Sequence, residues 1–467
     1  MKAHFIGICG VAMSAVATAM WKKGWKVTGS DAGFFPPVST HLTKLGIPYY
    51  SGWHPEKMTE GGTPDLIIVG NAVGSQNPEF LYAQEHKMKY VSYPEALGEF
   101  LVKKNSIVVS GTYGKTTSSA LLSHIFRHAG MRPSYMTGGI IQDGSPAAAI
   151  DDGEWSIVEG DEYSTSKWDK RAKFFHYKPT HLLLTAVKWD HADLYPTEKE
   201  YFDAFIKLIE QMPKDGKIVA CIDTETLPKI LKKSKRKFVS YGRDNDAEYR
   251  YDNVVQSSDG IEFDIIHGNE KHHVKSPLLG AYNAENITGC FAMANVAGME
   301  AGKIIDGISS FTGMKRRLEK RYEKKVTVID DIAHSPEKAR SVLRNLRAVY
   351  PGLIVAVYEP NIGNRTPQSK PEYKDAFKDA DTVAIPRLSK LKVDAENPDK
   401  TFEGDELADT IAESHKDVHY LDDDEALVAF LTTGRIEGDV IVFLGSHGFR
   451  GMIEETIKKL EEETQEG

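Results

Sequence analysis

Short runs of apolar residues recur along the chain, each followed by a stretch in which apolar positions return every three or four residues. His4-Phe5-Ile6-Gly7-Ile8 is such a run, Met13 to Lys23 carries the helical spacing, and Trp25-Lys26-Val27-Thr28 begins the cycle again. Asp65 to Gly70 reads as a further strand ending in glycine. A second block opens with Ser106-Ile107-Val108-Val109-Ser110 and contains the apolar strand Leu182-Leu183-Leu184-Thr185. A third opens near Lys325 to Asp330 and continues with Gly352 to Val357, Thr382 to Ile385 and Val440 to Leu444. Strands alternating with helices predict mostly parallel sheets covered on both faces, hence an α/β fold. At roughly 150 residues per domain, 467 residues make three domains, with boundaries expected at 1–104, 105–319 and 320–467.

Composition narrows the function classes. With 58 Lys and Arg against 67 Asp and Glu the chain carries a net charge of −9, which argues against wrapping a nucleic-acid backbone. Cys9, Cys221 and Cys290 lie far apart, so neither a disulfide framework nor a structural zinc site is expected. Phe5 to Met20 imitates a signal peptide, but it is too short to span a membrane. It also carries Gly7 and Gly10 and runs at once into the next strand, as a βαβ unit requires. A soluble, cytoplasmic protein without membrane partners is expected, and composition does not distinguish monomer from dimer. The lysines between Lys229 and Lys237 are flanked by acids and read as a solvated surface.

The strongest chemical signal is Gly111-Thr112-Tyr113-Gly114-Lys115-Thr116-Thr117, lodged between an apolar strand and a helix. Backbone N–H groups at a helix N-terminus point at an anion, glycines let the backbone approach, and a lysine neutralises the outer phosphates. A hydroxyl directly after that lysine can ligate Mg2+. Val158-Glu159-Gly160-Asp161-Glu162 places a carboxylate at a strand end, where an acid reaches a cation held at a phosphate loop. Asp190-His191-Ala192-Asp193 follows another apolar strand, and a histidine beside carboxylates can ligate a metal or relay protons. Asn283 and Asn286 are three apart; such amides can read an adenine edge or cap a helix. Lys315-Arg316-Arg317 and Asp330-Asp331-Ile332-Ala333-His334-Ser335-Pro336 suit a polyphosphate, the second ending a strand and opening a helix.

Taken in order, Gly-Thr-x-Gly-Lys-Thr-Thr, Glu-x-Asp-Glu, Asp-His, Tyr-Asn-x-x-Asn, Arg-Leu-Glu and Asp-x-Ala-His-x-Pro resemble the Mur ligase family over almost the whole chain. The resemblance implies ATP-dependent amide ligation in cell-wall synthesis, with a Rossmann-like N-terminal domain for a UDP-sugar, a central P-loop ATPase domain and a Rossmann-like C-terminal domain for the amine. It implies that Lys115 holds the β and γ phosphates within the ATP loop of Gly111, Thr112, Gly114, Thr116 and Thr117. Thr116 and Glu159 would ligate a first Mg2+ and His191 a second, with Arg317 on the γ-phosphate, Asn283 and Asn286 on adenine and Asp331 on ribose. Gly7, Gly10, Ala12, Met13, Ser14, Asp31 and Asn71 resemble the branch that acts on UDP-N-acetylmuramate. Cys9 stands where the family usually has glycine, and its side chain is expected to crowd the diphosphate.

Gly70-Asn71-Ala72 with Asn77-Pro78-Glu79, Asp169 to Phe174, and Gly445 to Gly451 resemble relatives that take a tripeptide amine rather than L-alanine. Arg365 and His447 are the expected amine-site residues. Two rival classes fare worse. An NAD-dependent oxidoreductase would use Gly7-x-x-Gly10 and Asp31, but Cys9 and Ala12 occupy two of its glycine positions. A non-catalytic nucleotide-binding module would need the loop but neither the Asp-His pair nor the C-terminal Asp-x-Ala-His cluster.

Overall fold

The computed structural model describes residues 1–34, 38–190, 194–389 and 401–466. Its strands form three sheets.

The first sheet has five parallel strands in the order Tyr49–Ser51, Lys26–Asp31, Lys2–Ile6, Leu66–Val69, Tyr90–Ser92. Ala3, Phe5 and Ile6 are fully buried, as a strand covered on both faces demands. Strand order reverses at Lys2–Ile6, so a crevice opens beyond its carboxyl end, where ligands bind in such folds. Gly7 and the helix Val11–Lys22 stand there.

The second sheet has ten strands, and its order also reverses at one central strand. Asn105–Ser110 pairs in parallel with His181–Leu184 on one side and Trp155–Gly160 on the other. Gly111 to Gly114 leave the carboxyl end of that strand and enter the helix Lys115–His128. Beyond Lys217–Cys221 and Val239–Gly242 the sheet continues through Tyr249–Ser257, Gly260–His267 and Glu270–Ser276. The sequence reading passed over these last three because polar side chains alternate through them and mask the apolar signal: Glu270–Ser276 reads Glu-Lys-His-His-Val-Lys-Ser.

The third sheet runs Glu319–Glu323, Thr327–Asp331, Val440–Gly445, Ile354–Glu359, Thr382–Pro386, Val418–Leu421, with the first pair antiparallel and the rest parallel. Ile329, Ala356 and Val442 pack into the core on one face, and Val328, Val355 and Ile441 into the core on the other. The first sheet and most of the second belong to one compact unit, whereas 277–283 and 313–467 belong to another. Among the described residues no helix is long and apolar enough to cross a membrane.

Candidate functional site

The turn after the first strand is organised by its neighbour. Gly7 N–H and Ile8 N–H both donate to the Ser30 carbonyl, at 2.8 and 3.0 Å, and Cys9 N–H donates to Asp31 Oδ2 at 2.8 Å. Asp31 therefore shapes the loop from the side. Burial, with Asp31 adding to it, pushes the Cys9 thiol up to about 12, so it is a neutral, unreactive group. Gly10 caps the helix with extended geometry, and Ala12, Met13 and Ser14 follow in its first turn. Met13 is buried against Gly10 and Gly70, so its side chain supports the turn from beneath. Asn71 lies just past the strand Leu66–Val69, on the same edge.

Glu79 was quoted only as part of a motif, yet it anchors this edge. Its buried carboxylate accepts from Ser30 Oγ at 2.5 Å, Tyr50 OH at 2.6 Å and His54 N–H at 2.8 Å. Burial opposes the charge, but these donors and His4 together hold the carboxyl below its ordinary range.

In the second sheet the glycine loop takes left-handed backbone at Gly114, φ 80°. A Cβ there would stand 2.3 Å from Asn286 Oδ1. Asn286 is thus buried directly against the loop and braces it. Asn283 is also buried, with its amide donating to the Leu279 carbonyl at 2.8 Å. Two threonines bolt the loop to the strand end beside it: Thr185 Oγ1 donates to the Tyr113 carbonyl at 2.6 Å and Thr112 Oγ1 to the Lys188 carbonyl at 2.7 Å. Thr117 lies in the first helical turn.

Lys115 turns inward. Its Nζ donates to the Gly111 carbonyl at 2.6 Å and lies 3.0 Å from Glu162 Oε2 and 3.1 Å from Oε1. Thr116 Oγ1 donates to Glu159 Oε1 at 3.0 Å, and Gly138 N–H donates to Glu159 Oε2 at 2.7 Å. Burial raises the Glu159 carboxyl despite the nearby Lys115. A hydroxyl and a carboxylate in contact, beside a phosphate-type loop, form the hard oxygen donor set that suits Mg2+, so the residues present fit that ion. Asp161 is held by Lys173 at 2.5 Å, which outweighs burial and keeps its carboxyl low. His191 lies outside the described residues.

The third sheet carries the remaining candidates. Arg316 and Arg317, adjacent in sequence, part company. Arg316 gathers the carbonyls of Gly445, Ser446 and His447 with its guanidinium, at 2.5, 3.0 and 2.8 Å, and meets Asp330 at 3.3 Å. Arg317 stays exposed. Asp331 is buried, accepting Leu318 N–H and Ala333 N–H at 2.8 Å each, so both its oxygens hold backbone. Arg365 is only 2% exposed and donates to the Pro360 and Ser389 carbonyls, with Glu359 at 3.3 Å. Arg450 stands 3.8 Å from the same Glu359 and 2.9 Å from Asp424, which also pairs with Arg387 at 3.0 Å. His447 Nδ1 lies 3.0 Å from Ser446 Oγ at the end of Val440–Gly445.

Besides Glu79, Arg387 and Asp424, sequence reasoning did not assign Glu162, Thr185 and Glu359. Only their positions at or just beyond strand ends could have drawn attention to them.

Comparison with known proteins agrees with this architecture segment by segment. The Mur ligase family catalytic domain matches residues 2–105, the Mur ligase middle domain 109–294, and the Mur ligase glutamate ligase domain 316–447. The UDP-N-acetylmuramate–L-alanine ligase of Anaeromyxobacter is 29% identical over 95% of this chain and 94% of its own. The UDP-N-acetylmuramate–L-alanyl-γ-D-glutamyl-meso-2,6-diaminoheptandioate ligase of Haemophilus influenzae is 33% identical over 76% of this chain and 79% of its own. The crystal structure of the UDP-N-acetylmuramate–alanine ligase of Thermotoga maritima shares the fold with a TM-score of 0.80, 24% identity, and coverage of 100% of this chain and 99% of the other. With a phosphate-type loop in the middle segment and three matched domains around it, the chain belongs to the Mur ligase family of ATP-dependent, ADP-forming amide ligases.

Proposed function

We propose that the protein joins the lactyl carboxylate of UDP-N-acetylmuramate to the amine of L-Ala-γ-D-Glu-meso-diaminopimelate. The observation that carries this choice is the run Arg365–Glu359–Arg450–Asp424–Arg387 at one end of the third sheet. This run brings three guanidiniums to one end of the sheet, and a tripeptide bearing several carboxylates can use more of them than L-alanine with one. The relatedness to the Haemophilus tripeptide ligase supports the same reading. L-alanine is the second reading, favoured by the match to the Anaeromyxobacter L-alanine ligase along nearly the whole chain.

In the proposed reaction a lactyl carboxylate oxygen attacks the γ-phosphorus of ATP, the bond to the β–γ bridging oxygen breaks, and ADP leaves. The amine nitrogen then attacks the acyl carbon of the acyl phosphate, and inorganic phosphate departs from the tetrahedral adduct. Two anions meet in the first step, so positioning and charge neutralisation dominate. Lys115 binds the β and γ phosphates over the amides of Gly111 to Thr117. Arg317, exposed and adjacent to the Asp331 segment, is assigned to the γ-phosphate, Asn283 and Asn286 to the adenine side, and Asp331 to the ribose side. Thr116 and Glu159 would hold Mg2+, which supplies charge neutralisation at the phosphates, and His191 is assigned to a second cation. Gly7, Gly10, Ala12, Ser14, Asp31 and Asn71 are assigned to the UDP-sugar, with Met13 supporting them. Arg365 and His447 remain the amine-site candidates, Arg365 acting through Glu359.

The deciding measurement is kcat/KM for the tripeptide and for L-alanine under saturating ATP and UDP-N-acetylmuramate. A preference for the tripeptide of at least about tenfold, or about 1.4 kcal/mol, is expected. A ratio favouring L-alanine reassigns the amine and leaves the rest of the mechanism standing.

A further inference from the structure

We propose that Glu162 is a positioning residue that holds Lys115 in a withdrawn position, so that nucleotide without its cation must compete with a built-in carboxylate for the lysine. The inference rests on the assignment of Lys115 to the ATP phosphates. The Lys115 ammonium folds back onto its own loop, 2.6 Å from the Gly111 carbonyl and 3.4 Å from that of Thr112. Glu162 closes the arrangement at 3.0 and 3.1 Å, with its side chain 1% exposed and that of Lys115 13% exposed. The backbone of Glu162 is itself tethered, because Tyr195 OH donates to its carbonyl at 2.7 Å. The chain that carries the carboxylate is therefore held beside the loop.

Drawing the lysine away from a buried carboxylate costs free energy, and a polyphosphate arriving beside it adds like charge. Metal-free nucleotide has to meet that cost in full. Nucleotide that arrives with a divalent cation brings positive charge to the Thr116–Glu159 donors, next to Lys115 in sequence, and the field of Glu162 is offset. Glu162 thereby sets how strongly nucleotide affinity depends on the cation, and it does so through Lys115 without touching the substrate.

The test is direct titration of AMP-PNP into the full-length protein, once with excess Mg2+ and once with EDTA. Glu162→Gln keeps the shape and removes the charge. It should tighten AMP-PNP about tenfold in EDTA, equivalent to about 1.4 kcal/mol, and change affinity less than about threefold in Mg2+. Glu162→Asp, which retracts the carboxylate by one methylene, should fall between wild type and Glu162→Gln in EDTA, and it carries the test alone if Glu162→Gln does not fold. Unchanged or weaker AMP-PNP binding in EDTA overturns the proposal. Lys115→Ala is the companion: if it binds AMP-PNP like wild type in both conditions, the phosphate role of Lys115 falls and takes this inference with it. If Lys115→Ala is impaired while the Glu162 variants do nothing, only the inference falls.

Discussion

After the strand Lys2–Ile6 the chain turns through Gly7, φ 87°, and enters a helix at Val11; after Asn105–Ser110 it turns through Gly111, φ 145°, and Gly114, φ 80°, and enters a helix at Lys115. Both turns stand where strand order reverses, and both aim helix N-terminal amides into a crevice. Their side chains differ. The first turn is shaped by Asp31 on a backbone N–H and contains no cation between Gly7 and Ser14. The second concentrates Lys115, Glu162, Thr116 and Glu159 within hydrogen-bonding distance of one another in two pairs. The backbone thus presents helix N-terminal amides in both, and the charged and hydroxyl side chains that could neutralise an anion gather only at the second.

The comparison breaks most sharply at the lysine. Lys115→Ala takes an ion-pair partner from the buried Glu162 and should lower the unfolding temperature, while ligase turnover of the folded protein falls about a hundredfold, corresponding to about 2.7 kcal/mol of lost transition-state stabilisation. Turnover above a tenth of wild type would remove the distinction between the two turns.

A smaller effect separates their glycines. Gly114→Ala forces a side chain into left-handed backbone and against Asn286, and should cost about 2–3 kcal/mol of stability. Gly10 has φ −62°, and a Cβ there would have nothing nearer than 3.6 Å, so Gly10→Ala should cost less than about 1 kcal/mol. Equal losses in denaturant unfolding would mean that the two turns are under the same strain.

The smallest expected effect concerns Glu285, the neighbour of the loop-bracing Asn286. Burial, with Asp223 adding to it, raises its carboxyl from 4.5 to about 7. The fold therefore favours the neutral form. Stability from this group is fully present below about 4.5 and is lost as pH rises towards about 7. Glu285→Gln should flatten that slope and gain about 1–2 kcal/mol at pH 8. A wild-type pH profile unchanged by the substitution would show that Glu285 does not couple to folding there.

The second turn was legible in sequence because its chemistry is local: strand, glycines, lysine and hydroxyls lie within a dozen residues. Glu159 was legible for a related reason, since a single acid closing an apolar strand faces the ligand edge. What escaped depends on contacts distant in sequence. Nothing near Glu162 announces that it meets a lysine 47 residues away. Lys315 to Arg317 read as one basic group, yet Arg316 takes three carbonyls more than a hundred residues downstream, while Lys315 and Arg317 are left outward. Arg365 is expected at the amine site, and nothing near it in sequence announces its burial against Glu359, itself wholly buried at the end of the strand beside it. Asp331 marked a strand end correctly, while its occupation by two backbone N–H groups could not be read from composition.

Trp168 bears on how this protein can be taken apart. Its ring comes from the middle segment but stacks on Phe80 of the first, with centroids 4.8 Å apart, and meets Tyr90 edge-on at 5.9 Å. Lys23 and Asp152 join the same two segments at 2.5 Å. A modular swap made after residue 104, grafting a different first segment onto the rest of this chain, would cut through an aromatic joint and not through a linker. The donor would need a ring partner for Trp168, and an excised first segment would present Phe80 and Tyr90 to water as an adhesive patch.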